Sequence, residues 1–500
     1  MEKDMQKNRY LWMLGCGLAG FGVLLLSMLL NPVNHYLSSL LLIVSAVALY
    51  FLIVLRPAQR NWMDIRAVFT GVWLGTIGLA TLRLTEYQEP WQAKTWWALA
   101  LAYLTFQLGT TLGILLGHKY YPAAVRKVKT AQIGRLRLQF RENRLFAICV
   151  VTTLIGITCF SINIAIRGYV PCFSDDFNAY RDFYTRFHVF SVASTGASGL
   201  CYYCIHTQKL PIWKKLILLL CIFYLVFLFP IAVVSRGVFV VAALSLTTTI
   251  FYLNKRKFTA LVVSLAIILG VYWFSSYLRN YTDQQLDVFF EPAQITIATE
   301  PTTQPTQPTT QPTTQPTTQP QETEPAIQPT EPTQPQVEPA GFRLSPKAAF
   351  LYSYLTVSHD NLNEAVKYAK TRTWGIRQLE PFNVILRSSW IKNRIEQAEY
   401  YQVNPYLNTT NIIGDFYYDF GLWGVVLCML LWAVLYGIIQ SVYLRGEGPF
   451  ALLALGNTMS PVALGFFSRW MSLFSFWLFW GVALLFALAS SITLDKRTRT

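Results

Sequence analysis

The sequence predicts an all-α, polytopic membrane protein with about twelve transmembrane helices and a small, mostly helical domain on the outer side. Three observations carry this. Of the 500 residues, 53% are hydrophobic and 13% charged, with a mean hydropathy of +0.35; that is too little charge to cover a soluble protein of this length. The apolar residues come in runs of about 20, the length a helix needs to cross a hydrocarbon layer of about 30 Å. The basic residues sort between the intervening segments as membrane topology requires.

Along the chain, the spans fall at residues 11–30, 37–55, 67–82, 96–117, 145–166, 188–206, 216–234, 237–253, 258–275, 421–443, 450–467 and 471–491. The first follows Lys3, Lys7 and Arg9 without a small-residue cleavage site, so it reads as an uncleaved signal-anchor. Residues 216–253 form one apolar stretch of 38 residues. As a single helix it would run about 57 Å. It must turn back, and Arg236, the only charge in it, marks the turn at the outer face. On this threading the short inside segments hold 24 of the 41 Lys and Arg, and 10 of the other 17 lie in one long outer segment, where the rule has little force. Carboxylates go the other way, 20 outside and 6 inside. A multi-pass protein of the cytoplasmic (plasma) membrane is expected, with both termini cytoplasmic. The net charge of +15 is then a topology signal suited to anionic lipid heads, and nucleic acid is discounted as a partner.

The first part of the bundle occupies 1–275, and 276–299 leads into the long outer segment. Residues 300–340 are a Pro/Thr/Gln tract of PTTQ and PTTQP repeats. Proline removes donors and fixes φ, so this tract is expected as an extended or disordered spacer; its threonines would suit O-glycosylation. Residues 341–420 differ: Tyr352, Tyr354, Trp374 and Trp390 stand among charges and a spread of Leu, Ile and Val. This reads as the outer helical region, and 421–500 completes the bundle. Seven of eight cysteines lie in or beside spans, so no disulfide framework is expected; Cys201-x-x-Cys204, in an apolar helix without a second pair, reads as two core thiols.

No nucleotide-phosphate loop, zinc motif or Ser/His pair is present. All basic residues fall in loops or at helix ends, whereas ion-coupled carriers keep charges at mid-membrane. The chemistry is therefore expected at the outer surface. Arg167, Arg181, Arg186, Arg236, Arg377, Arg387 and Arg469 gather there. Guanidinium stays charged and binds phosphate oxygens in pairs, although each of these also suits a helix-end anchor. Asp415 and Asp419 are spaced i,i+4 on one face of a helix entering the membrane, able to orient an acceptor hydroxyl or serve as base, or simply to answer the helix dipole. His359-Asp360 is either a base with its orienter or a satisfied surface pair. Asp175-Asp176 has the look of a metal pair, but no further ligands can be placed.

Three segments resemble the oligosaccharide repeat-unit polymerases, the Wzy-type membrane enzymes. The first runs from Asn408 through Gly414-Asp415-Phe416-Tyr417-Tyr418-Asp419-Phe420-Gly421 into a helix with Gly424 and Gly437. The second, Ile166-Arg167-Gly168-Tyr169-Val170-Pro171-Cys172-Phe173, is similar to the family's Gly-x-Ile-Pro-Leu element; Ser235-Arg236-Gly237 between two spans is the third. The PTTQ tract departs from the family. The resemblance implies a GT-C-like bundle and a metal-independent, inverting glycosyltransferase without a cofactor. It would join units carried on polyprenyl diphosphate at the outer face, in synthesis of a surface polysaccharide such as O-antigen, capsule or exopolysaccharide. The lipid-linked oligosaccharide and membrane lipid are its expected partners, with a flippase and a chain-length regulator. Arg236, Arg167, Arg387 and Arg377, with Tyr418, are the candidate substrate contacts; Asp415, Asp419, His359 and Asp360 are the candidate catalytic groups. Two alternatives remain open: a ligase using the same donor, and a transporter or flippase of the lipid-linked unit.

Overall fold

The computed structural model describes residues 2–55, 61–130, 132–133, 136–138, 141–174, 183, 185–277, 344–398, 400–403, 407, 409–446 and 448–494. The 300–340 tract, most of 276–299, Asp175, Asp176, Arg181 and the side chain of Arg236 lie outside the described residues.

The described chain is built of helices with one very small sheet. In order these are α1 (Glu2–Leu30), α2 (His35–Val54), α3 (Ile65–Ala80), α4 (Ala93–Thr130), β1 (Gln132–Ile133), β2 (Leu136–Leu138), α5 (Asn143–Arg167), α6 (Arg186–Ser194), α7 (Ser198–Thr207), α8 (Ile212–Phe223), α9 (Phe229–Ala232), α10 (Arg236–Leu253) and α11 (Lys257–Tyr277). After the long outer segment come α12 (Pro346–Tyr368), α13 (Ile376–Leu379), α14 (Asn383–Leu386), α15 (Ser389–Glu396), α16 (Gly414–Gly446), α17 (Pro449–Ala463), α18 (Phe474–Ser491) and β3 (Ile492–Leu494). Each predicted span falls on a helical run. By length and composition, six are able to cross a membrane: Leu11–Leu30, His35–Val54, Ala93–Tyr120, Asn143–Arg167, Ile212–Ala232 and Gly414–Leu444. Four more apolar helices are shorter, among them Ile65–Ala80 and Phe476–Ser491.

Large apolar side chains line the outside of these helices. Val44 and Val47 on α2, Val151 and Leu154 on α5, and Leu427 and Leu431 on α16 are all exposed. A water-soluble surface does not carry contiguous apolar faces on this scale; a lipid-facing one does. Inside, several buried hydroxyls are satisfied locally. The hydroxyls of Thr105, Thr110, Thr111 and Thr248 donate to carbonyls one turn back, at 2.6, 2.7, 2.8 and 2.7 Å, which lets hydroxyls be buried without leaving a donor unpaired.

Helix starts and turns follow the local sequence. Asn34 caps α2 by accepting from Leu37 N, and Asp64 caps α3 by accepting from Arg66 N. The Asp64 carboxylate also takes the Arg66 guanidinium at 3.0 and 2.7 Å, so a buried arginine at a helix start carries its countercharge with it. The long apolar stretch does turn back where Arg236 stands. The turn runs through Val234, at φ 51, and Ser235 caps α10 through Val238 N.

Two helices approach unusually closely. A Cβ at Gly113 would lie 2.1 Å from Val434 O, and one at Gly437 would lie 2.2 Å from Thr110 O. Glycine at these facing positions lets the backbones of α4 and α16 touch.

Contacts at the helix ends fall in two sets. At one end Asn61 pairs with Tyr252, Gln440 with Asp64, Gln208 with Glu142 O, and β2 pairs antiparallel with both β1 and β3. At the other, Arg83 pairs with Asn31, Lys367 with Glu89, Asn361 with Leu407 O, and Arg469 with Glu380. The first set unites the segments read from sequence as inside, the second those read as outside.

Candidate functional site

At the second end, the loop before α16 is pinned by Ile412 N to Gly465 O at 2.7 Å, and Gly414 starts the helix. Asp415 and Asp419 lie in the first two turns. The helix then breaks at Gly421, with φ 66 and ψ −148, a backbone conformation essentially reserved for glycine. Such a break leaves the preceding carbonyls without intrahelical donors. An arm from residues 372–377 supplies them: Arg372 Nη1 donates to Tyr417 O at 2.8 Å, Thr373 N to Tyr418 O at 3.2 Å and Trp374 N to Asp419 O at 3.3 Å. The same arm reaches the side chain of Asp419, whose Oδ1 accepts from Thr373 Oγ1 and from Arg377 N.

Asp415 is the centre of the cluster. It is 1% exposed. Its Oδ2 accepts from Ser472 Oγ. Its Oδ1 makes no hydrogen bond among the described residues, yet faces Arg469 Nη1 at 3.7 Å and Arg377 Nη1 at 3.9 Å. These are ion-pair rather than hydrogen-bond distances. Arg469 also meets Glu380 Oε2 at 3.2 Å. Burial raises the Glu380 carboxyl above its usual range, with Arg469 pulling the other way. Burial disfavours the charged Arg469, but Asp415 and Glu380 outweigh it and hold the guanidinium firmly protonated.

Two aromatic rings floor this group. Tyr400 and Tyr418 stack with centroids 5.6 Å apart. Arg377 lies 4.1 Å over Tyr418 and 5.2 Å from Tyr400, and Arg469 lies 5.9 Å from Tyr400. Cation–π contact of this kind fixes a guanidinium without using up its donors. The rings are held by their hydroxyls: Tyr400 Oη donates to Thr410 Oγ1 at 2.8 Å, and Tyr418 Oη accepts from Tyr401 N at 3.0 Å.

The structure thus brings Asp415, Asp419, Arg377 and Tyr418 together, as candidate groups of one site. Arg377 is 3% exposed, so it sits beneath the acids instead of being presented to a ligand. Arg387 is exposed at the end of α14 with φ 49, and among the described residues no contact joins it to the cluster; Arg167 is exposed at the end of α5. The backbone of Arg236 does lie at this end. Val233 and Val238, either side of the turn, pack in the cluster that holds Trp470, the neighbour of Arg469.

His359 and Asp360 are not on the surface, contrary to one of the two readings of that pair; both are buried where α12 packs against α3. His359 Nδ1 faces Asn411 Nδ2 at 3.3 Å and Nε2 faces Thr76 Oγ1 at 3.1 Å. The Asn411 NH2 group can only donate, so Nδ1 accepts and the ring proton is on Nε2. Asp360 accepts from Trp91 Nε1 at 2.8 Å and Gln88 Nε2 at 3.0 Å. Burial drives the pKa of His359 down to about 3 and that of Asp360 up to about 7, the latter opposed by the Trp91 and Gln88 hydrogen bonds. Among the described residues, His359 meets the 409–413 loop that leads into the cluster through Asn411, so its place is to hold that loop.

Sequence reasoning passed over Glu380, Tyr400, Ser472, Thr373 and Arg372, and placed Arg469 only among the outer arginines. The signal available for Arg469 was its position as the one charge between two apolar runs, the same mark that singled out Arg236. No family model, no curated protein and no solved structure matches this chain.

Proposed function

We propose that this chain is a glycosyltransferase with about twelve spans that polymerises polyprenyl-diphosphate-linked oligosaccharide units at the outer face of the cytoplasmic membrane, as the resemblance to Wzy-type enzymes suggests. The observation that carries the reading is the Asp415 cluster: two arginines, three carboxylates and two stacked tyrosines gathered at one end of an apolar helix bundle. The segregation of end contacts supports the alternation of the threading, and the excess of Lys and Arg in the short segments of the opposite end argues that this end, with 341–420, is outside.

In this reading the acceptor hydroxyl attacks the anomeric carbon, the bond from that carbon to the diphosphate oxygen breaks, and the lipid diphosphate leaves with the electron pair. Arg469, about a third exposed, meets the departing diphosphate. Arg377, 3.9 Å from its Oδ1, holds Asp415 in place. Asp419 Oδ2, which has no hydrogen-bond partner among the described residues, takes the hydroxyl proton once the 372–377 arm lifts. Tyr400, half-buried, offers ring surface for a sugar, with the buried Tyr418 stacked behind it. Arg236 remains a second candidate for the diphosphate, on the sequence alone.

The test is purified protein in nanodiscs with a defined lipid-diphosphate oligosaccharide. A ladder of lengthening products is expected, lost in Asp415→Asn and Arg469→Ala with lipid-linked monomer unconsumed. Transfer of a single unit to another acceptor would indicate the ligase; movement of the unit across the bilayer without bond formation would indicate the flippase. An unchanged ladder in both variants would remove the cluster from the reaction.

A further inference from the structure

The arm that covers Asp419 carries apolar surface that the protein itself does not cover. Trp374, at its tip, is 74% exposed and held at φ 50, where bulky residues are rare. Its ring meets Phe420 edge-on at 6.2 Å. Leu386 and Trp390, on the short helices that follow, are exposed as well, and α15 packs against α13 beside Trp374. Beyond the break at Gly421, Trp423, Leu427 and Leu431 follow one turn apart on α16, all exposed, and Phe420, just before the break, is exposed as well. Since α16 is long and apolar enough to span, that stripe faces acyl chains. The Trp374 patch meets Phe420, three residues before the head of that stripe. Exposed Arg387, Lys392 and Arg394 stand along the same arm. Indoles above a lipid-facing stripe, with cations at their edge, are the composition of the bilayer interface.

We infer that residues 374–396 lie along the outer bilayer surface, with Trp374, Leu386 and Trp390 immersed at headgroup level. Because Trp374 N bonds to Asp419 O, the carboxylate site is then one loop away from lipid. An amphiphile reaches the Asp415–Asp419 cluster sideways from the leaflet, past Trp374, without its tail leaving the bilayer. This does not depend on the reaction being sugar transfer; it needs only a membrane-embedded chain.

The test uses the full chain, labelled with fluorotryptophan, in nanodiscs. Trp374→Phe and Trp390→Phe identify the two fluorine resonances by their disappearance. A lipid carrying a nitroxide near the headgroup end of its acyl chain should broaden both several-fold more than a water-soluble gadolinium chelate does, as it should for Trp423. Broadening by gadolinium alone would put the arm in water and overturn the inference. Protection from both reagents would mean a protein partner or a second copy covers the patch, and would overturn it equally. Neither result bears on the product ladder, so the two proposals fail separately.

Discussion

The pairing of Arg377 with Asp415 can be measured without any substrate. Both side chains are nearly inaccessible, at 3% and 2%, and their charges are 3.9 Å apart. At an effective dielectric of about 20, two unit charges at that distance attract by about 4 kcal/mol. Arg377→Met keeps the bulk of the side chain and removes the charge; Asp415→Asn keeps the shape and, through its carbonyl oxygen, an acceptor for Ser472. Each single variant should lose about 3 kcal/mol, because each leaves a buried charge without its partner. The double variant should lose much less than the sum. A double-mutant cycle by equilibrium unfolding in mixed micelles then returns a coupling of about 2–4 kcal/mol. The same cycle with Arg469→Met is an internal comparison: that arginine is 32% exposed and 3.7 Å from Asp415, so screening should hold its coupling to about 1 kcal/mol. A coupling for Arg377 below that of Arg469, or under about 0.5 kcal/mol, would refute the geometry drawn for the site.

Other outcomes follow from the same coordinates. Gly421→Ala should cost about 2–3 kcal/mol in that unfolding assay, since its φ of 66 and ψ of −148 disfavour any side chain and the new Cβ would stand 3.3 Å from Arg372 Nη2. Gly113→Leu should prevent accumulation of monodisperse protein on gel filtration, because even a Cβ there would sit 2.1 Å from the Val434 carbonyl. The buried pair gives opposed pH dependences. Asp360 binds its proton more tightly when folded, so its contribution is complete below pH 3.8 and lost as pH rises through about 7; His359, with a folded pKa of about 3, contributes above 6.5 and loses that stability as pH falls. The wild type should therefore vary little between pH 4 and 7, whereas His359→Gln should gain stability on acidification and Asp360→Asn should lose it, each by up to about 4 kcal/mol. Slopes of the same sign in the two variants would show that the pair titrates otherwise.

Much of the architecture could be read along the chain because lipid imposes a local rule. An apolar run of sufficient length becomes a helix wherever it stands, and a run twice too long must turn, as it does at Val234 and Ser235. The spacing of Asp415 and Asp419 likewise put both in one helical segment. What was hidden is what depends on distant pairing. Arg377 and Arg469 approach Asp415 from 38 residues before it and 54 after it, and no period in the sequence marks that meeting. The polar run Ser358-His359-Asp360-Asn361 in α12 has the composition of an exposed face. It is buried because Thr76, Gln88, Trp91 and Asn411 converge on it with matching donors and acceptors. The break at Gly421 was equally invisible, since a glycine in a span is as often a packing residue as a hinge.

The contact of α4 with α16 through Gly113 and Gly437 limits what can move. With backbones that close, sliding or tilting one helix against the other would drive carbonyl oxygens into Cα atoms. Asp415 and Asp419 lie beyond the break at Gly421, but the close approach of Phe416 O to Gly424 ties their short helix to this fixed foundation. Any gating of the carboxylates has to be done by the parts that are merely laid against them, the 372–396 arm and the Arg469 turn. A cross-link joining α4 to α16 should leave turnover intact, while one tying the arm to the first turns of α16 should stop it.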